Sequence, residues 1–338
     1  MKQRILLALG LLACASGLRA QGPGTSGTYY QSADGKSGRE LKTALCTIIY
    51  NRSERSYGDL WTDFRTTDTR SDGKVWDMYS GISNFTFGTD QDPGSGNTEG
   101  QYYNREHSWP NSWFGGKVQP MYTDLHHMYP TDKVVNNRRS NYPFGETAGE
   151  SYKSQGGFSK LGKCTYSGYD GTVFEPADEY KGDFARTYFY MVTCYEEKLP
   201  DWYSQYGDKE GVRPTIDGST YPGLSSWQLS MLMEWAARDP VSAKETERNE
   251  AVYQIQLNRN PFIDYPGLEQ YVWGSKTTEP FRYSDYGTTG VVAAGSNVAE
   301  APAMVYTLGG QRVAAADRGI SIVRRGDGTV EKRLGTVR

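Results

Sequence analysis

Apolar residues recur at helical spacing in several stretches of the chain. Leu41, Leu45, Ile48 and Ile49 form one stripe, and Ser37-Gly38-Arg39-Glu40 ahead of them reads as a capping box opening that helix. Phe184, Tyr188, Met191 and Tyr195 mark a second amphipathic helix. Trp227, Met231 and Trp235 mark a third, stopped by Asp239-Pro240. Residues 243–257 read as a fourth, charged on one face, with Pro261 ending the run shortly afterwards. Between the first two, residues 58–103 are rich in Gly, Asp, Thr and aromatics, with short strand-like pieces such as Ser83 to Phe87. No internal repeat is visible. Separated helices and short strands predict an α+β fold rather than a regular βαβ alternation.

The two ends differ from this body. Lys2 and Arg4, then the apolar run Ile5–Ala13, then Leu18-Arg19-Ala20 predict a signal peptide over residues 1–20, cleaved before Gln21. Leu11-Leu12-Ala13-Cys14 also resembles a lipobox, which would acylate Cys14, but the apolar run would be very short for a lipoprotein. On either reading the protein is exported. Residues 21–37 are expected to be a flexible lead-in, 38–274 one domain, and 275–302 a linker. Residues 303–338 alternate apolar and polar positions around Gly309-Gly310 and Gly326-Asp327-Gly328, and read as a small β segment.

Composition narrows the function classes. A chain of 338 residues with 37% hydrophobic content can bury a real core. A mean hydropathy of -0.69 excludes an integral membrane bundle. Loss of residues 1–20 removes three basic residues and no acid, leaving 34 basic against 40 acidic, or -6. From residue 309 onward the tail carries seven basic residues and three acids, so the rest of the mature chain is strongly acidic. No global positive field advertises nucleic acid, and any polyanion must be held by a local site. Cys46, Cys164 and Cys194 remain after cleavage; Cys164 and Cys194, in the same half of the chain, are the expected disulfide in an oxidising compartment.

The three histidines, His107, His126 and His127, all fall within residues 107–127. They sit in two dense polar-aromatic stretches, Asn104-Arg105-Glu106-His107-Ser108-Trp109-Pro110 and Asp124-Leu125-His126-His127-Met128-Tyr129-Pro130-Thr131-Asp132. Zinc fits poorly, with no His-Glu-x-x-His and no cysteine pair nearby. A serine triad lacks a Gly-x-Ser-x-Gly elbow, and Cys46 sits in an apolar helix. Phosphodiester hydrolysis uses all the parts. His107 suits a general base. Glu106 and Asn136 supply oxygens of the kind Mg²⁺ prefers. Lys133, Arg138 and Arg139 lie close enough in sequence to clamp phosphates. A short helix over 131–138 would project Asn136 toward the end of a strand bearing His107, making a β-β-α unit.

These stretches, continued through Val135-Asn136, Arg139, Asn141, Pro143-Phe144-Gly145-Glu146, Glu234-Trp235, Asp239-Pro240 and Asn258-Arg259-Asn260-Pro261-Phe262, resemble the endonuclease I family of secreted or periplasmic nucleases. The resemblance covers roughly residues 38–274. It implies a ββα-metal (His-Me finger) core embedded in a mixed helical and short-strand domain. It also implies His107 as base and Glu106 with Asn136 holding one divalent metal, Mg²⁺ before Mn²⁺ or Ca²⁺. Arg105, Lys133, Arg139 and Asn141 are expected to bind substrate or support the site, and Asp124 with His126 to shape its surroundings. Leu257 stands where the family has glycine, a change expected to affect a turn. The tail, Val305-Tyr306-Thr307-Leu308-Gly309-Gly310-Gln311-Arg312-Val313 with Arg318-Gly319-Ile320-Ser321-Ile322-Val323, resembles a type IX secretion sorting signal, which implies that secretion machinery as a partner. The expected activity is an exported, metal-dependent endonuclease cutting DNA, RNA or both without sequence specificity. The alternatives are a silent nuclease-like surface protein that binds glycan or nucleic acid, and a zinc hydrolase acting on another ester.

Overall fold

The computed structural model describes residues 28–286 and the four strand segments 304–307, 312–313, 319–324 and 330–335. The expected signal peptide with Cys14, most of the lead-in and residues 287–302 of the expected linker lie outside the described residues. Two compact units are present, one within residues 1–290 and one within 291–338.

In the first unit the helices are α1 (Gly38–Ile49), α2 (Leu60–Thr67), α3 (Lys133–Arg139), α4 (Lys181–Cys194), α5 (Leu199–Tyr206), α6 (Val212–Thr215), α7 (Ser226–Arg238), α8 (Ala243–Gln256), α9 (Pro261–Asp264) and α10 (Leu268–Val272). Strands β1 (Tyr103–His107) and β2 (Met128–Asp132) form an antiparallel pair. Strands β3 (Tyr152–Lys153), β4 (Lys160–Lys163) and β5 (Thr172–Glu175) form a second antiparallel sheet. The second unit is a four-stranded antiparallel sheet of β6 (Met304–Thr307), β7 (Arg312–Val313), β8 (Gly319–Arg324) and β9 (Val330–Gly335), in the order β7-β6-β8-β9.

Helix α4 forms the centre of the first unit. Its apolar positions predict a one-sided helix, yet all 14 residues are buried. The polar faces can go inside because their groups are paired. Lys181 meets Glu175 at 2.7 Å, Asp183 meets Lys244 at 2.5 Å, and Arg186 holds Glu245 through a 2.8 Å bond from its second nitrogen. Thr187 shares a 2.6 Å hydrogen bond with the Tyr129 hydroxyl. Helices α1 and α7 pack against the same helix, and Phe184, Tyr188 and Phe144 interlock around it.

Helix α2 is absent from the sequence reading, since Leu60, Trp61 and Phe64 are too short a run to establish a period. Leu60 and Phe64 join Leu125, Met128 and Val252 in a small core of their own. Ser83–Phe87 is not a strand; the Val75 amide bonds the Phe85 carbonyl, and the Thr86 carbonyl turns back onto the Thr89 and Asp90 amides. The capping box expected at Ser37 does not form either. Ser37 makes no side-chain cap, because Gly38 enters the first turn at φ 51° and the turn lacks regular geometry. A full capping box is found on α8, where Ser242 and Glu245 bond each other's backbone amides.

The stretch before β2 is held by a buried carboxylate. Asp124 accepts hydrogen bonds from Arg52 at 2.6 Å, Tyr195 at 2.7 Å, Gln256 at 2.8 Å and Tyr190 at 2.9 Å. Burial opposes its ionisation, but Arg52 and its other partners together outweigh that and keep the carboxyl well below the usual range. His126 and His127 follow it into the core, bonded to the carbonyls of Asn258 at 3.2 Å and Met121 at 2.6 Å. Burial lowers them to about 3 and about 4 respectively, so both stay neutral.

Two outcomes follow from these features. In the unfolded chain both histidines take up protons near pH 6.5, while the folded protein resists until about 3 and 4. Their contribution is complete above pH 6.5 and is lost as pH falls, at up to about 3 kcal/mol per pH unit. Thermal midpoints measured from pH 7.5 to 4.5 should fall steeply below 6.5, and a flat profile would contradict the arrangement. Leu257, 56% exposed, ends α8 in the left-handed region at φ 66°. Leu257→Gly should raise stability by about 1 kcal/mol in urea unfolding, since glycine pays no steric penalty there.

Candidate functional site

Strand alternation divides β1 into two chemical faces. Asn104 and Glu106 share one, and Arg105 and His107 share the other. Helix α3 begins where β2 ends, without a linker. Asp132, the last residue of β2, accepts from the Val134 amide at 2.8 Å and the Val135 amide at 3.0 Å. Its other oxygen takes the Gly100 amide at 2.7 Å. The helix expected over 131–138 therefore runs over 133–139, with strand pairing kept through Asp132.

The first face carries oxygen donors. Glu106 is buried, and its Oε1 accepts from the Tyr79 hydroxyl at 2.8 Å and from Arg139 at 3.0 Å. Asn136, projecting from α3, donates through Nδ2 to the Asn104 Oδ1 at 2.7 Å. Each residue thus keeps an oxygen that these anchors do not use, Oε2 of Glu106 and Oδ1 of Asn136. Burial raises the Glu106 carboxyl above its ordinary range, against the pull of Arg139, Tyr79 and the Asn136 amide. A carboxylate and an amide oxygen, prepared in this way, fit a hard divalent cation that keeps several waters. Among the described residues no group of three or more His, Cys, Asp or Glu side chains is gathered, so a zinc cage of the usual kind is not built.

The second face carries the imidazole. His107 Nε2 lies 3.0 Å from the Tyr122 carbonyl oxygen. That acceptor makes Nε2 the protonated nitrogen and leaves the lone pair on Nδ1. Its ring stacks on Tyr122 at 5.0 Å, which stacks in turn on Tyr57 at 4.6 Å. The guanidinium of Arg105 covers the outer side, 3.6 Å from the centre of the Tyr57 ring and 4.2 Å from Trp61. Burial above all, then the neighbouring His127, lowers His107 to about 3. The imidazole is held neutral and fixed in plane.

The other expected residues divide by accessibility. Arg139 is 1% exposed and faces inward. It donates to Glu106, to the His107 carbonyl at 2.9 Å and to the Ser108 carbonyl at 2.5 Å, so it supports the site and has no reach to a substrate phosphate. Lys133 also departs from the expected clamp, because its Nζ is taken by Asp92 at 2.6 Å and the Ser95 carbonyl at 2.9 Å. Arg105 is tied by a 2.6 Å bond to the Tyr57 carbonyl. Arg138 remains exposed over Tyr152, at 5.5 Å. Asn141 is half-buried, its carbonyl close against Gly211. Asp124 and His126 belong to the core network around Arg52 and Tyr190, away from the Glu106 face.

The expected Cys164–Cys194 disulfide does not form; Cys46, Cys164 and Cys194 are all free and buried. Cys164 follows β4, while Cys194 ends α4, which starts beside β5 and runs for about 20 Å. The thiol of Cys194 instead faces the Ile49 carbonyl and Arg52.

The supporting residues Tyr79, Asn104, Tyr57 and Tyr122 carry no role in the sequence reading. Period-two alternation would have flagged Asn104 as sharing the Glu106 face. Tyr79 comes from the irregular 58–103 segment, and nothing local marks it.

Comparison with known proteins identifies the family. The family model for endonuclease I matches residues 37–267. The chain is 38% identical over 254 residues to a protein named extracellular ribonuclease from Bacillus amyloliquefaciens, covering 73% of this chain and 78% of the relative. It is 37% identical over 254 residues to the extracellular ribonuclease of Bacillus subtilis (strain 168), with the same coverage. An extracellular deoxyribonuclease of Aeromonas hydrophila is 27% identical over 143 residues, 42% of this chain and 49% of the relative. A match over most of the chain, with two long relatives above one-third identity, places it plainly: this nuclease belongs to the endonuclease I family.

Proposed function

We propose that the protein is an exported, metal-dependent endonuclease that hydrolyses phosphodiester bonds in RNA and DNA without sequence specificity, and that β1, β2 and α3 form its ββα-metal (His-Me finger) centre. The observation that carries this reading is the neutral His107, its Nε2 committed to a carbonyl, on the opposite face of β1 from the Glu106 carboxylate and the neighbouring Asn136 amide. In-line displacement at phosphorus needs that separation, because the attacking water and the leaving oxygen lie on opposite sides of the phosphate. His107 Nδ1 accepts the proton of the water. Glu106 and Asn136 would hold the divalent metal, Mg²⁺ before Mn²⁺ or Ca²⁺, whose chemistry is to neutralise charge on the phosphate and the departing oxygen. Tyr79 and Asn104 orient the two ligands, and the Tyr122–Tyr57–Arg105 stack holds the imidazole plane. Arg138 is the exposed cation nearest Asn136 in sequence and meets the substrate backbone.

Export fits the relatives named extracellular, and no described helix is long and apolar enough to cross a membrane. The signal peptide over 1–20, the domain limits 38–274, and the tail as a type IX sorting signal read by that secretion machinery are parts of the same proposal.

Purified residues 21–338 should nick supercoiled plasmid and cut an RNA oligonucleotide in Mg²⁺, with both activities lost in EDTA. His107→Ala should reduce kcat by at least about 10²-fold, the usual worth of a positioned base. Activity surviving that change would remove His107 from its role. Asn104→Ala should leave the fold intact by circular dichroism while raising the Mg²⁺ concentration for half-maximal activity by about 10- to 100-fold, as loss of a ligand-orienting bond does. An unchanged Mg²⁺ requirement would detach Asn136 from the metal.

A further inference from the structure

A cavity of about 310 Å³ opens between the stretch 70–83 and the side chains of Phe158, Glu179 and Tyr180. Its walls are the aromatic rings of Trp76, Phe158 and Tyr180 and the polar groups of Asp77, Ser80 and Glu179. Resting on the nuclease reading, we propose that this cavity is a nucleobase subsite, which takes an unpaired base carrying an exocyclic amine from the strand being cut.

Four observations carry the assignment. The volume lies at the lower end of the range for small-molecule pockets, about 300–1,000 Å³, and suits a single base rather than a duplex. The walls are built to stay open and in place. Trp76 Nε1 donates to the Tyr180 hydroxyl at 3.0 Å, and the Lys244 ammonium lies over both rings, at 5.5 and 4.9 Å. Phe158 leans on Tyr180 with ring centres 6.1 Å apart and closes against Gly81, where any Cβ would sit 2.9 Å from its ring.

The charge of the cavity selects among the parts of a nucleotide. Glu179 is exposed, while Asp77 is buried with its two oxygens already taken by the Tyr79 amide at 2.8 Å and the Ser83 hydroxyl at 2.6 Å. The one cation of the lining, Arg70, is already held by Asp72 at 2.6 Å and by the Ser83 carbonyl. Carboxylates repel a phosphate but accept from an amine, as they do from the N4 group of cytosine. Aromatic faces stack on any base, so the Glu179 carboxylate supplies the discrimination.

The position of the cavity links it to the reaction. Tyr79 lies between two lining residues; its amide donates to Asp77 at 2.8 Å and its hydroxyl to Glu106, also at 2.8 Å. Asp77 also feels the charge of Asp132, the residue that caps α3. A base seated here places its own strand beside the Glu106–Asn136 face. A base paired in a duplex cannot enter, so the subsite favours single-stranded substrate.

The test uses the full mature chain and free nucleosides, which have no phosphodiester to cut. Calorimetric titration should show adenosine and cytidine binding at least tenfold more tightly than uridine. Phe158→Ala and Trp76→Ala should each weaken adenosine by tenfold or more, consistent with the loss of one stacking partner. Glu179→Gln, at an exposed position that does not threaten folding, should narrow the gap between cytidine and uridine. On nucleic acid, Phe158→Ala should raise KM for a single-stranded oligonucleotide with kcat unchanged, and leave plasmid nicking as it was. Nucleosides that fail to saturate, or that bind all variants and all bases equally, would overturn the subsite while leaving an active nuclease standing. Selective nucleoside binding by a protein that cuts nothing would keep the subsite and bring down the nuclease reading instead.

Discussion

The candidate centre depends on one buried guanidinium. Arg139 ends α3, and its nitrogens reach across to the Glu106 carboxylate and to two successive carbonyls, of His107 and Ser108, where the chain leaves β1. The Ser108 carbonyl takes a further hydrogen bond from the Tyr188 hydroxyl at 3.1 Å, which ties the same corner to α4. An arginine suits this place better than a lysine, because its planar fork serves several acceptors in fixed directions. It also supplies the charge that lets Glu106 sit in the interior at all. The distance between helix and strand, and so between Asn136 and Glu106, is set by this contact.

The same economy is visible elsewhere. Asp124 gathers Arg52, two tyrosine hydroxyls and Gln256 from three separate parts of the chain, and α4 buries charged groups on the faces that its apolar residues leave open. These interior pairs contribute little net stability compared with apolar packing, yet each specifies one arrangement, because a displaced partner leaves a charge unpaired in a dry core. A site that needs two oxygens and an imidazole held in place benefits from a core with few alternative packings.

The sequence made some of this legible and hid the rest, for physical reasons. Helices α1, α4 and α7 announce themselves through stripes of large apolar side chains, and α8 through a long run charged on one face and closed by Pro261. The short helix α2 does not, since three apolar residues confined to its first five positions are too few to show a period. The identity of the chemistry was readable because histidine is rare here and its flanking residues form an extended motif. The roles of the cations were not. Lys133 and Arg139 look alike in sequence to Arg138, and only packing distinguishes two buried, committed charges from one in solvent. Cysteine pairing failed for a related reason, as separation along the chain says nothing about which end of a buried helix each thiol occupies.

The free state of Cys46, Cys164 and Cys194 has a bearing on how such a molecule matures. All three thiols are inside the protein, and burial pushes each above its ordinary range, with Cys46 at about 12. A thiol that is inaccessible and stays protonated is a poor nucleophile, so it resists both oxidation and exchange. The described part of the chain therefore reaches its native form without an oxidase or a disulfide isomerase. Its integrity is indifferent to the reducing or oxidising character of the surroundings in which it works.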